Sequence, residues 1–214
     1  MAFIVPAIIS KDFFDLTKKI SVVERFYGCP FVQLDIMDGK FVPNKTIGAE
    51  SIAKLRTQLS YELHLMIHDP LQKIEEFIAL QPERLIVHYT SKKEMEQLFV
   101  VLKACKIKVA IALNLGTSVA QVEPFLKYID SVLLMSVVPG SYGAAFHSGI
   151  YKKIRAMKKL APDLPVAIDG GVGRDTIKKL IAAGADRLCV GSRIFETPDP
   201  LASYQELKKL CYDR

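Results

Sequence analysis

Four side chains of the kinds that carry acid–base and ligand chemistry fall at corresponding places in the sequence: Asp35, His64, His88 and Asp169. Each lies in, or just past, a short apolar run that reads as a β-strand: Asp35 late in the second, His64 in the third, His88 just after the fourth and Asp169 at the end of the seventh. A lone aspartate at a strand end commonly caps the next helix, and a lone inward histidine is commonly a satisfied core residue. Four of them at matching strand ends point to one shared polar site. Two glycine-rich turns add a second kind of chemistry. Asp169-Gly170-Gly171-Val172-Gly173 and Val190-Gly191-Ser192 let backbone N–H groups approach an anion closely, and the helices that follow add a favourable dipole. Together the two turns point to phosphate binding.

Period-two alternation gives these residues a direction. Gln33, Asp35 and Met37 share one face of their strand, Glu62, His64 and Met66 share one face of theirs, and Asp169 lies with Ala167. The strands are expected at Ile4–Ile9, Phe31–Met37, Glu62–Ile67, Arg84–Val87, Val109–Leu113, Ser131–Val137, Val166–Ile168 and Arg187–Val190. Helical patterns separate them: Phe13–Glu24, Ala49–Leu59, Leu71–Leu80 with Asp69 as cap and Pro70 in the first turn, Lys92–Cys105, Ser118–Leu126, Ile150–Leu160, Arg174–Ala183 and Pro200–Cys211. Eight strands, each followed by a helix, make an α/β chain and permit closure into a (β/α)8 TIM barrel spanning 1–214 as a single compact domain. Barrels of this kind carry their chemistry at the carboxyl ends of the strands, with phosphate at the last two loops. An open doubly wound sheet is the runner-up, but no G-x-G-x-x-G follows the first strand.

Composition narrows the setting. Half of the 214 residues are apolar, enough for one sizeable core, and no apolar run reaches membrane-spanning length. The start, MAFIVPAIIS, lacks a charged leader region and reads as a mature N-terminus. Cys29, Cys105, Cys189 and Cys211 are widely spaced and read as buried or incidental thiols of a reducing, cytoplasmic protein. The net charge of +6 comes from lysine pairs scattered along helical segments, with no basic block for nucleic acid. His68 and His147 read as loop surface residues, and Asp38 as a turn-stabilising side chain.

The stretches LDIMDGKFVPN (Leu34–Asn44), HLMIHDP (His64–Pro70), Val87-His88, MSVVPG (Met135–Gly140), AIDGGV (Ala167–Val172), AAGAD (Ala182–Asp186) and VGSRIF (Val190–Phe195) run through nearly the whole chain. In this combination they resemble the ribulose-phosphate 3-epimerase family of (β/α)8 barrels. The resemblance implies an isomerase of pentose phosphate metabolism. It would interconvert D-ribulose 5-phosphate and D-xylulose 5-phosphate, or a related ketose phosphate, by proton transfer at C3 through an enediolate. Asp35 and Asp169 would be its two acid–base groups. The same resemblance implies a divalent cation, zinc, manganese, magnesium or iron, on Asp35, His64 and Asp169. Gln33 is the candidate fourth ligand, where the family carries histidine. Ala7, His64, Gly140, Gly143, Gly170, Gly171, Gly191 and Ser192 would bind the phosphorylated sugar, and Met37, Met66, Met135 and Tyr142 would line the site. The resemblance also implies a homo-oligomer.

Departures from the family pattern gather in one place. Gln33 stands for histidine, Ala7 for serine, Thr90 for glutamate, Tyr142 for glycine and Ala144 for glutamine. A glutamine offers an amide oxygen in place of an imidazole nitrogen, so the site could bind zinc weakly, select a harder cation, or hold none. A buried amide needs a partner, and one is expected for Gln33. The alternative function is a non-catalytic or regulatory phosphosugar-binding barrel that has lost the metal site. A barrel decarboxylase or Schiff-base aldolase is disfavoured, since D-x-K-x-x-D is not found at strand two, where Asp35-Ile-Met-Asp38 is followed by Gly39-Lys40, and no strand-end lysine is seen inside the barrel.

Overall fold

The strands β1 (Phe3–Ile8), β2 (Val32–Met37), β3 (Tyr61–Met66), β4 (Arg84–His88), β5 (Lys108–Leu113), β6 (Ser131–Met135), β7 (Val166–Asp169) and β8 (Arg187–Val190) pair in parallel in chain order. β1 meets β8 through Phe3↔Arg187 to Pro6↔Val190, so the sheet closes on itself. This is a computed structural model that describes residues 2–29, 31–140 and 142–212. The expected (β/α)8 barrel is therefore the fold, and the open-sheet alternative is excluded by the β1–β8 pairing.

Alternation along each strand builds two layers. Ile4, Leu34, Leu63, Leu85, Val109, Val132, Ile168 and Leu188 face outward under the helices as part of the main core. Val5, Ala7, Ile86, Ala110, Ala112, Leu133, Met135, Ala167 and Cys189 face inward. Several inward residues are alanines, which leaves room inside the barrel for larger polar side chains from β2, β3 and β4.

The helices form where a cap and an apolar stripe coincide. In α1 (Phe13–Val23) Asp12 accepts from the Asp15 N–H, and Leu16, Ile20 and Val23 are buried at helical spacing. α2 (Ala49–Ala53) is shorter than the expected Ala49–Leu59, because Thr57 Oγ1 turns away to Glu24 and accepts from the Leu59 N–H. The expected helix Leu71–Leu80 is two pieces, a 3₁₀ turn Pro70–Gln72 and α3 (Ile74–Ile78), separated by Lys73 at φ −120°. Asp69 does not cap it. Its backbone is left-handed (φ 51°), and its side chain accepts from Gln72 Nε2 instead of a helix N–H.

In α4 (Lys92–Leu102) Ser91 is the cap. The stretch expected as a helix at Ser118–Leu126 is a 3₁₀ helix, Val119–Tyr128, in which Pro124 cannot donate an α-helical hydrogen bond. α5 (Ile150–Leu160), α6 (Arg174–Ala183), the short α7 (Ser192–Phe195) and α8 (Pro200–Leu210), capped by Asp199, complete the ring.

Candidate active site

Gln33 and Asp35 on β2, His64 on β3, Asp169 on β7 and Cys189 on β8 all point into the barrel and meet near its carboxyl end. The Gln33 amide nitrogen donates to Asp35 Oδ1 at 2.8 Å and to Asp169 Oδ2 at 2.8 Å, and lies 3.4 Å from His64 Nδ1. His64 Nδ1 is itself 3.1 Å from Asp35 Oδ1 and 3.1 Å from Asp169 Oδ2. On its other side His64 Nε2 is 2.8 Å from His88 Nε2, the two rings stacked with centroids 5.0 Å apart. The Gln33 carbonyl oxygen accepts from the Cys189 thiol at 3.1 Å. All six side chains are buried, Gln33 and His64 completely.

The surrounding chain fixes this cluster from behind. Thr46 Oγ1 donates to the Asp35 carbonyl and accepts from the Met37 N–H, which anchors the loop after β2. Ser136 Oγ donates to the Asp169 carbonyl at 3.0 Å, and to that of Gly170. Asp38 accepts from the Lys40, Phe41 and His68 N–H groups, tying the loops after β2 and β3 together as a turn-forming aspartate does. His68 and His147 are exposed, as expected of loop residues.

The electrostatics follow from burial and crowding. Burial pushes the Asp35 carboxyl up, the charge of Asp169 pushes it further, and the hydrogen bonds of His64 and Gln33 hold it back. Burial alone would depress His64, but its hydrogen bonds to Asp169 and Asp35 and their charges carry it to about 10. His64 is thus an imidazolium at neutral pH. His88 is lowered by burial and by the charge of His64, so it stays neutral and accepts from His64 Nε2. Burial also holds the Cys189 thiol well above its ordinary range, which keeps it a donor. Two carboxylates share one cationic imidazole.

A cavity of about 50 Å³ opens onto Asp35 and Asp169 and is lined by Ala7, Met37, Met66, Met135, Gly140, Tyr142, Gly143, Gly170, Gly171, Gly191 and Ser192. Every residue expected at the sugar site is on this wall except His64, which is fully buried behind the two carboxylates. His64 touches the acids and does not reach the cavity. Tyr142 explains the small volume. Its hydroxyl donates to the Ala7 carbonyl at 2.8 Å and accepts from the Ile9 N–H at 3.0 Å, and its ring lies where a Cβ on Gly191 would be only 2.2 Å from Cε1. At Gly170, with φ +96°, a Cβ would lie 2.2 Å from Val137 Cγ2, so only glycine fits that turn. A larger cavity of about 850 Å³ adjoins through Gly143, Ala144, Gly171, Val172 and Ser192 and reaches Arg174 and Arg193.

Asp35, His64 and Asp169 offer one ligand atom each, all within 4.8 Å of one another, and this mixed oxygen and nitrogen set fits a divalent cation. Two members of the cluster were not legible as such in the sequence. Cys189 reads there as an incidental thiol, although its place two residues after inward-facing Arg187 on β8 puts it on the same face. Ser136 gives no signal until the β6–β7 register is known.

A closed parallel barrel with buried acids and an imidazole at the strand ends, beside a glycine-walled cavity, places the chain among the (β/α)8-barrel enzymes. The chain belongs to the ribulose-phosphate 3-epimerase family, whose model matches residues 3–195. That family consists of isomerases acting on carbohydrates. The chain is 33% identical to ribulose-phosphate 3-epimerase of Aquifex aeolicus (strain VF5), covering 98% of this chain and 97% of that protein. It is 34% identical to the enzyme of that name from Bacillus subtilis (strain 168), over 97% and 99% of the two chains. Among solved structures, 3-hexulose-6-phosphate synthase from Salmonella typhimurium superposes with a TM-score of 0.71 at 13% identity, covering 98% of this chain and 98% of that one. At that identity the likeness concerns the fold. No helix among the described residues is long and apolar enough to cross a membrane.

Proposed function

We propose that this chain interconverts D-ribulose 5-phosphate and D-xylulose 5-phosphate by moving the C3 proton from one face of the sugar to the other. One observation carries the reading: carboxylates from β2 and β7 meet around shared donors 2.8–3.1 Å away, at the wall of one cavity. Epimerisation needs a base on one face of C3 and an acid on the other, in opposite protonation states at the same moment. Burial and the neighbouring charge of Asp169 make Asp35 easier to protonate than an ordinary aspartate, so the pair can carry a single proton between them. In the metal-free protein His64 and the Gln33 amide hold the two carboxylates in place by hydrogen bonds, and His64 ligates a cation only after giving up its Nδ1 proton.

Asp35, His64 and Asp169 would hold a divalent cation, which when bound polarises the substrate carbonyl. The glycine-walled turns after β7 and β8 would receive the phosphate, with Arg193 in the adjoining cavity adding positive charge nearby. A pentulose phosphate needs several times the 50 Å³ of the inner cavity, so the loop bearing Tyr142 opens from β1 to admit it. The methionines Met37, Met66 and Met135 then offer an apolar wall to the flat enediolate. The non-catalytic alternative is not favoured, because Gln33 is a bonded member of the acid cluster and does not disrupt it.

The test is deuterium wash-in at C3 of D-ribulose 5-phosphate in D2O, followed by proton NMR. Wild-type protein is expected to exchange the position, and Asp35→Asn and Asp169→Asn to lose the exchange. Absence of exchange on any pentulose phosphate, with or without added zinc, manganese, magnesium or iron, would overturn the reading.

A further inference from the structure

Gln33 is fully buried, and both ends of its amide are committed. Its NH2 group faces Asp35 Oδ1 and Asp169 Oδ2 at 2.8 Å each, while its Oε1 accepts from Cys189 Sγ at 3.1 Å. Ionised carboxylates only accept hydrogen bonds, and a buried thiol donates one, so both neighbours select the same orientation of the amide. Cys189 is 2% exposed and sits in the inner layer of β8.

This orientation conflicts with a bound cation. A divalent metal would lie about 2.0–2.2 Å from the ligand atoms of Asp35, His64 and Asp169. Nε2 of Gln33 is already within 2.8–3.4 Å of the same three residues, with its positive N–H ends turned toward the space a cation needs. To admit the ion the amide has to turn over. Turnover breaks two charge-assisted hydrogen bonds and the thiol bond, presents Oε1 as a fourth ligand, and leaves NH2 facing a sulfur that accepts only weakly.

We propose that the Gln33–Cys189 pair is the determinant of metal affinity in this site: the thiol holds the amide with its donors toward the two carboxylates, so divalent cations bind weakly and only when the amide turns over. The inference rests on the reading of Asp35, His64 and Asp169 as the cation-holding set, and it concerns residues that act on the ion rather than on the sugar. It accounts for the tolerance of glutamine where a histidine would ligate directly. The amide supplies in the metal-free protein the bridge between like charges that a cation supplies in the loaded one.

The experiment measures metal binding without substrate, which separates it from the exchange assay. Protein stripped with a chelator is titrated with Zn²⁺ against a chromophoric competitor and with Mn²⁺ by electron paramagnetic resonance, and folding is checked by thermal melting. Gln33→His is expected to bind Zn²⁺ at least about a hundredfold more tightly than wild type. Cys189→Ala frees the amide and is expected to tighten binding about fivefold, the worth of one net hydrogen bond. Cys189→Ser offers the carbonyl a stronger donor and is expected to weaken it. The order Ala, Cys, Ser at position 189 is the signature, since loss of packing alone would weaken both variants. Equal affinity across the three, weakening in both variants, or wild-type affinity matching that of Gln33→His overturns the proposal, whether or not the protein exchanges the C3 proton.

Discussion

The two ends of the barrel interior each bury an ionic cluster, and they are built on opposite plans. At the amino end Glu62 accepts from Arg84 at 2.8 Å, Arg187 stands 3.8 Å away, and the Phe31 ring lies 5.9 Å and 5.6 Å from the two guanidinium groups. Cations outnumber the anion there. At the carboxyl end two carboxylates crowd around one imidazolium, and anions outnumber the cation. Val5, Ile86, Ala110, Leu133 and Ala167 separate the two. The floor commits its charge to a short ion pair roofed by an aromatic ring. At the mouth the like charges remain partly uncompensated next to a cavity, which is the condition for taking up a proton or a cation. The same strands therefore carry stability at one end and chemistry at the other, as the fold permits.

The largest effect expected from breaking this contrast is at the mouth. Asp35→Asn or Asp169→Asn should cost at least about a thousandfold in C3 exchange, the usual scale of a lost acid–base group. Neither should lower the melting temperature, since each relieves the repulsion between two buried carboxylates. Next is the floor. Glu62→Ala leaves the buried Arg84 guanidinium and the half-buried Arg187 without their anion and should cost about 3–5 kcal/mol in urea unfolding, while the folded fraction keeps its exchange rate. If that variant lost exchange in proportion while remaining fully folded, the two ends would not be separable.

A smaller effect is expected at the rim. Tyr142→Phe removes both hydrogen bonds of the loop to β1, a loss of about 1–2 kcal/mol from loop closure. Stopped-flow binding of the sugar phosphate should then show a faster association step, with the melting temperature little changed. The smallest concerns Lys153, half-buried on α5 and donating to the Asn114 and Leu115 carbonyls. Burial lowers it to about 8. Between about 8 and the ordinary lysine range the unfolded chain holds a proton that the folded chain has released, so stability rises slightly with pH through that window. Lys153→Met should flatten this rise in urea titrations run at about pH 7.5, below that window, and at about pH 10, near its upper edge.

Much of this was legible in the sequence because it is local or periodic. Short β-branched runs with inward-facing alternation placed Gln33, Asp35, His64 and Asp169 on the correct faces, and apolar stripes at helical spacing placed α1, α5, α6 and α8. What escaped depends on pairing across long separations or on single backbone angles. The partner of the Gln33 carbonyl oxygen is Cys189, 156 positions later, and their contact exists only once the sheet is closed. Tyr142 reads as a residue that crowds the sugar site, but its bonds to Ala7 and Ile9 follow from the path of a loop with no periodicity. The place of His64 behind the acids depends on how deeply β3 is staggered against β2. Asp69 shows the local limit, because a left-handed φ at a presumptive cap is invisible in residue type.

The pairing of Phe3 with Arg187 has a consequence for how the protein is made. A chain still emerging from the ribosome can pair its first strand with the second, but the other edge of that strand stays open until the eighth has been synthesised. Before that, β1 and β7 are open edges able to recruit strands from other chains. The eighth strand also carries Cys189, so the acid cluster gains that member only after the other seven strands have been made. Slow, all-at-once closure is the expected folding behaviour, and chaperone dependence should fall sharply once the segment through Val190 has left the exit tunnel.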